Sequence, residues 1–245
     1  MSATSVLRYA ANKVYEYAFP IYRPVYAAYK TYADRAERHL LSKILFPGAV
    51  VADVGANIGI YSEFLSRCVG PTGLVHSFEP APANFTRLSA ATRNVSNVRL
   101  SKAAVGEHSG QSKLYISSKL NVDHRVYKTG GDSRRAIPTE MVALDDYFRP
   151  GQGVDLIKMD IQGYELHALR GANRVLADNP GIKLLLELWP YGLRQAETSW
   201  VDLVEWLLAR NMLVCEVTTR GVVPFRSYSV RESPDWYINL FVSAM

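Results

Sequence analysis

The run Asp53-Val54-Gly55-Ala56-Asn57-Ile58-Gly59 lies where an apolar stretch gives way to an amphipathic one. Its two glycines let the backbone turn tightly and approach a ligand closely, with a helix N-terminus beyond. Twenty residues after Gly59, Glu79 follows in Ser77-Phe78-Glu79-Pro80. An acidic residue at that offset, at the end of the next strand, can accept hydrogen bonds from both hydroxyls of a ribose. The two elements together read as a nucleotide-binding turn and its ribose acceptor.

The choice of nucleotide turns on Asp53. A turn that cradles a pyrophosphate reads G-x-G-x-x-G and offers free backbone N–H groups to a dianion. Here Asp53 stands at the first glycine position, where a carboxylate would repel that dianion. It suits a ligand with a cationic amino group, such as the methionine moiety of S-adenosylmethionine. A methyl donor is therefore expected ahead of a nicotinamide cofactor. An NAD(P)-dependent Rossmann oxidoreductase is the alternative, and a noncatalytic nucleotide-binding module is a third.

Further motifs follow in order. Asp53–Gly59, Phe78-Glu79-Pro80, Ala143-Leu144-Asp145-Asp146-Tyr147 and Lys158-Met159-Asp160-Ile161-Gln162-Gly163-Tyr164-Glu165, with Gly171-Ala172, resemble the FkbM-type methyltransferases over roughly residues 45–245. The resemblance implies a Rossmann-like class I fold, a seven-stranded, mostly parallel sheet with helices on both faces. It implies S-adenosylmethionine as methyl donor and O-methylation of sugars or natural-product scaffolds. It places Asp53, Gly55, Ala56, Asn57 and Gly59 at the methionine end of the cofactor and Glu79 at its ribose. Ala103 and Ala104 would face the adenine, and Asp160 would stand near the methyl group and the acceptor. Gln162 departs from the Glu that many relatives carry before the glycine, and no required role is assigned to it.

Methyl transfer is an in-line displacement in which the protein mostly aligns the reactants. A hydroxyl acceptor must also lose its proton, so a general base is expected within hydrogen-bond reach. The candidates are Asp160, His124 and Glu187. For Asp160 the competing reading is a carboxylate capping the next helix near Gly163. Glu187 ends an apolar strand in Leu186-Glu187-Leu188-Trp189-Pro190, where an acceptor pocket competes with a buried ion pair to Lys158. His124 lies in the polar loop Asn121–Tyr127, either over the crevice or in solvent. His39, His76, His108 and His167 have no partner motif and read as structural. Arg125, Lys128, Arg134 and Arg135 share the His124 loop, as a solvated face or as a clamp for an acceptor phosphate or carboxylate. Asp145 and Asp146 would point to opposite faces of a strand, and no metal is expected.

Strands alternating with helices must position these groups. Ala49–Val54, Leu74–Phe78, Val98–Val105, Val154–Met159 and Ile182–Leu188 read as buried strands, with shorter ones at Lys113–Ile116 and Glu140–Leu144. Helices follow Gly59 and Pro82, a third carries Leu166, Leu169, Ala172 and Leu176 on one face, and a fourth spans Trp200–Leu208. Leu213–Val217 and Tyr237–Val242 close the sheet, joined by a connection long enough for an antiparallel return. The pattern predicts a doubly wound α/β domain over residues 46–245.

Residues 1–45 form a separate, tyrosine-rich helical extension carrying seven of the 15 tyrosines, with Pro20 and Pro24 dividing it. They also hold most of the net charge of +5. Two readings stand for this extension. One is a helical layer packed on the domain or on a second copy in a homodimer. The other is an acceptor-binding or interfacial cap with weak membrane-surface contact. The rest of the chain is nearly neutral, so nucleic acid is not expected as a partner. Cys68 and Cys215 lie far apart without metal-ligand spacing, which suits a reducing compartment. With no transmembrane run and no secretory signal in view, a cytoplasmic location is expected.

Overall fold

The computed structural model describes residues 12–117, 121–129 and 134–245. Tyr9 and the rest of residues 1–11 lie outside the described residues. After a helical run at 12–17 come helices α1 (Phe19–Ala33) and α2 (Arg35–Ile44). Pro20 sits in the first turn of α1, where a missing N–H costs nothing. Pro24, expected to divide the segment, lies inside α1 instead. The breaks fall at Ala18 and Asp34.

The first half of the α/β domain follows as β1 (Val50–Val54), α3 (Ile60–Val69), β2 (Leu74–Phe78), α4 (Pro82–Thr92) and β3 (Val98–Ser101). The chain then leaves the main sheet for β4 (Ala103–Val105), β5 (Gly110–Ile116) and β6 (Arg135–Val142). It returns through α5 (Leu144–Tyr147), β7 (Leu156–Met159), α6 (Glu165–Arg170) and α7 (Asn173–Asp178). The last part comprises β8 (Lys183–Leu188), α8 (Pro190–Gln195), α9 (Trp200–Leu208), β9 (Met212–Thr218), β10 (Gly221–Pro224) and β11 (Ile238–Ala244).

The main sheet has the order β10-β9-β11-β8-β7-β1-β2-β3. Strands β3, β2, β1, β7 and β8 run parallel, and β11 inserts antiparallel between β8 and β9. That is the expected mostly parallel sheet. An eighth strand joins it because Gly221–Pro224 folds back on β9 as a hairpin. The predicted third strand, Val98–Val105, is two strands. Its partner β2 ends at Phe78, opposite Ser101, as the chain turns toward Pro80, which has no N–H for the ladder. Ala103–Val105 therefore pairs with β6 in a three-stranded satellite sheet.

The period of two along each strand divides the core. Val51, Val75, Leu156 and Leu185 face Leu41 of α2 and Leu65 and Val69 of α3. Ala52, Val54, Ile157 and Met159 face Leu166 and Leu169 of α6 and Leu203 and Leu207 of α9. The helix expected through Leu166 and Leu176 breaks at Gly171, where a Cβ would lie 2.1 Å from the Gly106 carbonyl oxygen. With both faces covered, the C-terminal ends of β1, β2 and β7 open into one crevice, where open α/β sheets bind ligands.

Candidate active site

The turn after β1 is held by its own backbone. Gly55 and Ala56 donate their N–H groups to the Phe78 carbonyl at 3.1 and 2.9 Å, tying the tips of β1 and β2. Gly55 has φ +82°, and a Cβ there would sit 2.0 Å from the Asp160 carbonyl oxygen. Only glycine lets the β1 turn pass so close to the end of β7. Asn57 donates its N–H to Glu79 Oε2 at 2.9 Å, and Ala81 donates to Oε1 at 2.8 Å. The Asn84 side chain also hydrogen-bonds to this carboxylate, which keeps lone-pair capacity for a ligand. Burial pushes the pKa of Glu79 up to about 7.

Gly55, Ala56, Asn57, Glu79, Ala103 and Ala104 line a cavity of about 1030 Å³. This lies at the upper end of the roughly 300–1,000 Å³ usual for small-molecule pockets, room for a nucleoside and a second compound together. The side-chain oxygen of Asn57 is buried without a hydrogen-bond partner, so it has an acceptor to offer. A nucleoside with ribose hydroxyls and donor groups fits this donor set.

Two of the residues expected at the cofactor lie elsewhere. Asp53 is fully buried and does not line the cavity. Its Oδ2 accepts from Ser62 Oγ at 2.7 Å, and its Oδ1 lies 3.4 Å from Lys158 Nζ. The carboxylate is turned inward and charge-compensated there, so it presents no free charge to a ligand. Gly59 is also absent from the lining. Its φ is +89°, and a Cβ would meet Leu88 Cδ1 at 2.9 Å, so it serves the packing of α3 on α4.

Asp160, Glu187 and His124 all reach the same cavity. Gln162 Nε2 donates to Asp160 Oδ1 at 3.1 Å and to Glu187 Oε2 at 3.3 Å, bridging the two carboxylates. Gln162 adopts φ +59°, the left-handed region that a non-glycine residue seldom occupies. Burial, with the Asp160 and Glu165 carboxylates adding to it, holds the pKa of Glu187 well above the usual carboxylate range. The ion pair expected between Glu187 and Lys158 is replaced by this bridge, because Lys158 is engaged with Asp53. Asp160 does not cap the following helix: Glu165 Oε1 accepts the N–H groups of Ile161 and Gly163 instead. Gln162 was missed in the sequence, and its one signal was its place beside Gly163.

His124 Nδ1 accepts the Ser117 N–H at 3.1 Å, which leaves the proton of the neutral ring on Nε2. Burial lowers its pKa to about 4. His124 is therefore a hydrogen-bond donor into the cavity and a poor base. The basic loop is solvated only in part: Lys128 and Arg135 are exposed, whereas Arg125 and Arg134 are engaged. Asp123 pairs with Arg125 at 2.7 Å and Arg134 at 2.6 Å, while Arg135 begins β6. Tyr127 ties the loop down by donating to the carbonyls of Gln162 and Gly192.

Asp145 and Asp146 lie in α5, not on a strand, and border a separate recess with Glu107 and Arg170. Asp145 accepts the N–H groups of Arg174 and Val175, capping α7. Among the described residues no group of three His, Cys, Asp or Glu side chains is placed to hold a metal ion. None of His39, His76, His108 and His167 lines the cavity.

The remaining lining comes from outside the β1–β3 half. Tyr22, Tyr26 and Lys30 of α1 contribute to it, with Trp189, Tyr191 and Tyr237. Tyr15 and Tyr22 pack with Ile58 and Ile60 of the glycine turn. Arg23 pairs with Glu63 at 2.6 Å, and Tyr15 donates to Asn84 Oδ1. The extension is thereby built into the cavity.

A family model described as the methyltransferase FkbM domain matches residues 53–212. The chain is 31% identical over 170 residues to 31-O-demethyl-FK506 methyltransferase FkbM of Streptomyces tacrolimicus, covering 57% of this chain and 64% of that one. It is 28% identical over 144 residues to Methyltransferase 1 of Beauveria bassiana, covering 49% and 57%. The match thus spans less than two thirds of the length of either relative. Among solved structures, a candidate methyltransferase of Streptococcus mutans in complex with SAH superposes with a TM-score of 0.52 at 11% identity, over 85% of this chain and 96% of that one. An rRNA methylase of Streptococcus thermophilus gives 0.51 at 12% identity, over 85% and 94%. These two likenesses establish the fold.

Proposed function

The chain belongs to the FkbM methyltransferase family, and from that premise we propose that it transfers a methyl group from S-adenosylmethionine to a hydroxyl of a sugar or natural-product scaffold. When bound, the cofactor supplies a methyl group already activated by its sulfonium. The residues that would hold it are the Gly55–Asn57 turn, with the free Asn57 oxygen, Glu79 at the ribose, and Ala103 and Ala104 beside the base. The similarity to a 31-O-demethyl-FK506 methyltransferase supports a hydroxyl acceptor.

The observation that carries the reading is the bridged pair Asp160–Gln162–Glu187, at the end of β7 and directly beside the Gly55 turn. Burial, with the Asp160 carboxylate nearby, favours the protonated form of Glu187. A carboxylate of this pair takes the acceptor's hydroxyl proton as the new O–C bond forms. Gln162 fixes one oxygen of each carboxylate through its Nε2 and so holds the two groups together. His124 Nε2–H donates to the acceptor and orients it.

The test is methyl-labelled S-adenosylmethionine offered with a panel of hydroxylated sugars and polyketide alcohols. Label should appear on oxygen, and Glu187→Gln and Asp160→Asn should each lower kcat by about 100-fold or more, the range of general-base catalysis. Affinity for S-adenosylhomocysteine should stay near wild type. Label on nitrogen, or undiminished turnover in both variants, would overturn the proposal.

A further inference from the structure

The outer face of the N-terminal extension is uncharged over its whole middle. From Tyr17 to Ala33, every exposed side chain is apolar or tyrosine except Thr31. Ile21, Val25, Tyr29 and Tyr32 follow one another along α1 at steps of four, four and three, so they form one strip, and exposed Tyr17 stands just before the break at Ala18. Tyr17 is 80% exposed and Tyr32 71%. Large apolar strips on a soluble surface mark interaction sites.

The charges beside the strip are sorted by sign. The acids between Tyr17 and Phe46 are Asp34 and Glu37, and both are buried. Asp34 is engaged by Lys30 at 2.6 Å, and Glu37 accepts from Asn239 at 2.6 Å. On α2 the exposed residues include Arg35, His39 and Lys43, one helical turn apart on a single face. An uncharged, tyrosine-rich strip continued by bases, with exposed Glu16 before it paired to Lys13 at 3.1 Å, has the make-up of a helix that lies in a lipid–water interface.

We infer that α1 and α2 dock this protein on an anionic phospholipid surface, with the strip at the acyl boundary and Arg35 and Lys43 at the headgroups. Among the described residues no helix is long and apolar enough to cross a membrane, so the contact is peripheral. A second copy of the chain suits the strip less well, since α2 would bring the bases Arg35 and Lys43 with no exposed acid of its own to pair them. Ile21, Val25 and Tyr29 of the strip also line the cavity, as does half-exposed Tyr237. The docked face is thus the face through which an acceptor enters. Resting on the methyl-transfer reading above, this makes the acceptor an amphiphilic hydroxyl compound presented by the lipid surface.

The experiment is co-sedimentation of the full chain with phosphatidylcholine vesicles, with and without phosphatidylglycerol. Wild type should pellet with the anionic vesicles. The bound fraction should fall by at least about tenfold in Tyr17→Glu/Tyr32→Glu and in Arg35→Glu/Lys43→Glu, since both the apolar and the electrostatic parts are needed. None of these four residues lines the cavity, so S-adenosylhomocysteine affinity should be unchanged in each variant. Wild type left in the supernatant, equal pelleting with phosphatidylcholine alone, or variants that pellet like wild type would overturn the inference. So would light scattering that shows a wild-type dimer and a monomeric Tyr17→Glu/Tyr32→Glu variant. Loss of S-adenosylhomocysteine binding by wild type would instead count against the methyl-transfer reading, leaving the vesicle result to stand alone.

Discussion

Asp53 and Lys158 face one another in register on neighbouring parallel strands, and their side chains meet at 3.4 Å in the interior. Taking one charge away leaves the other buried and uncompensated, a loss of roughly 3–5 kcal/mol. Lys158→Met should show a loss of about that size in urea unfolding. The double variant Asp53→Asn/Lys158→Met should recover a substantial part of it. A double variant no more stable than Lys158→Met would mean that the pair is not coupled.

Gly55 joins the two halves of the site. With a Cβ only 2.0 Å from the Asp160 carbonyl oxygen, Gly55→Ala must push the β1 turn and the end of β7 apart, at φ +82° besides. Steric and backbone effects of this kind cost about 1–3 kcal/mol each. The expected result is a lower melting temperature and loss of S-adenosylhomocysteine binding in the fraction that stays folded. Wild-type affinity in this variant would show that the contact does not shape the site.

The pH dependence of stability follows from buried groups with opposed signs. Glu79 and Glu165 have pKa values raised to about 7 by burial, so the folded state holds protons that the unfolded state loses from about pH 4.5 upward. Their contribution is present at low pH and is lost as pH rises toward about 7. His76 and His124, lowered to about 4 by burial, act the other way: folding gains as pH rises through about 4 to 6.5. The two sets offset each other below about pH 6.5, and only the glutamates remain above it. The ligand-free protein should therefore lose melting temperature between pH 6.5 and 7.5. Glu165→Gln should flatten that decline, because Glu165 Oε2 is buried without a partner while Oε1 serves backbone N–H groups that an amide oxygen also satisfies. A decline as steep in Glu165→Gln as in wild type would contradict the assignment.

The parallel core, the glycine turn and the place of Glu79 on the cavity were all readable from the sequence. Period-two strands and the offset between Gly59 and Glu79 are local signals that tertiary packing does not override. The role given to Asp53 was not, because the strand pairing that sets Lys158 beside it is long-range. With Asp53 neutralised and turned inward, its charge no longer discriminates a methyl donor from a dinucleotide, and the family match carries that choice. The Gln162 bridge was invisible for a similar reason: it depends on the chain reversing at a left-handed residue between two strand ends. His124 was found as a cavity residue, yet its role as donor depends on Ser117 N–H, a partner that no spacing rule specifies.

The most direct test of the account is a calorimetric titration of the full chain with S-adenosylhomocysteine, NAD and NADP, repeated with Glu79→Ala. The account predicts micromolar binding of S-adenosylhomocysteine alone, weakened by at least about tenfold in the variant through loss of charge-assisted hydrogen bonds to the ribose. Binding of a nicotinamide dinucleotide in its place, or S-adenosylhomocysteine affinity untouched by Glu79→Ala, would contradict it.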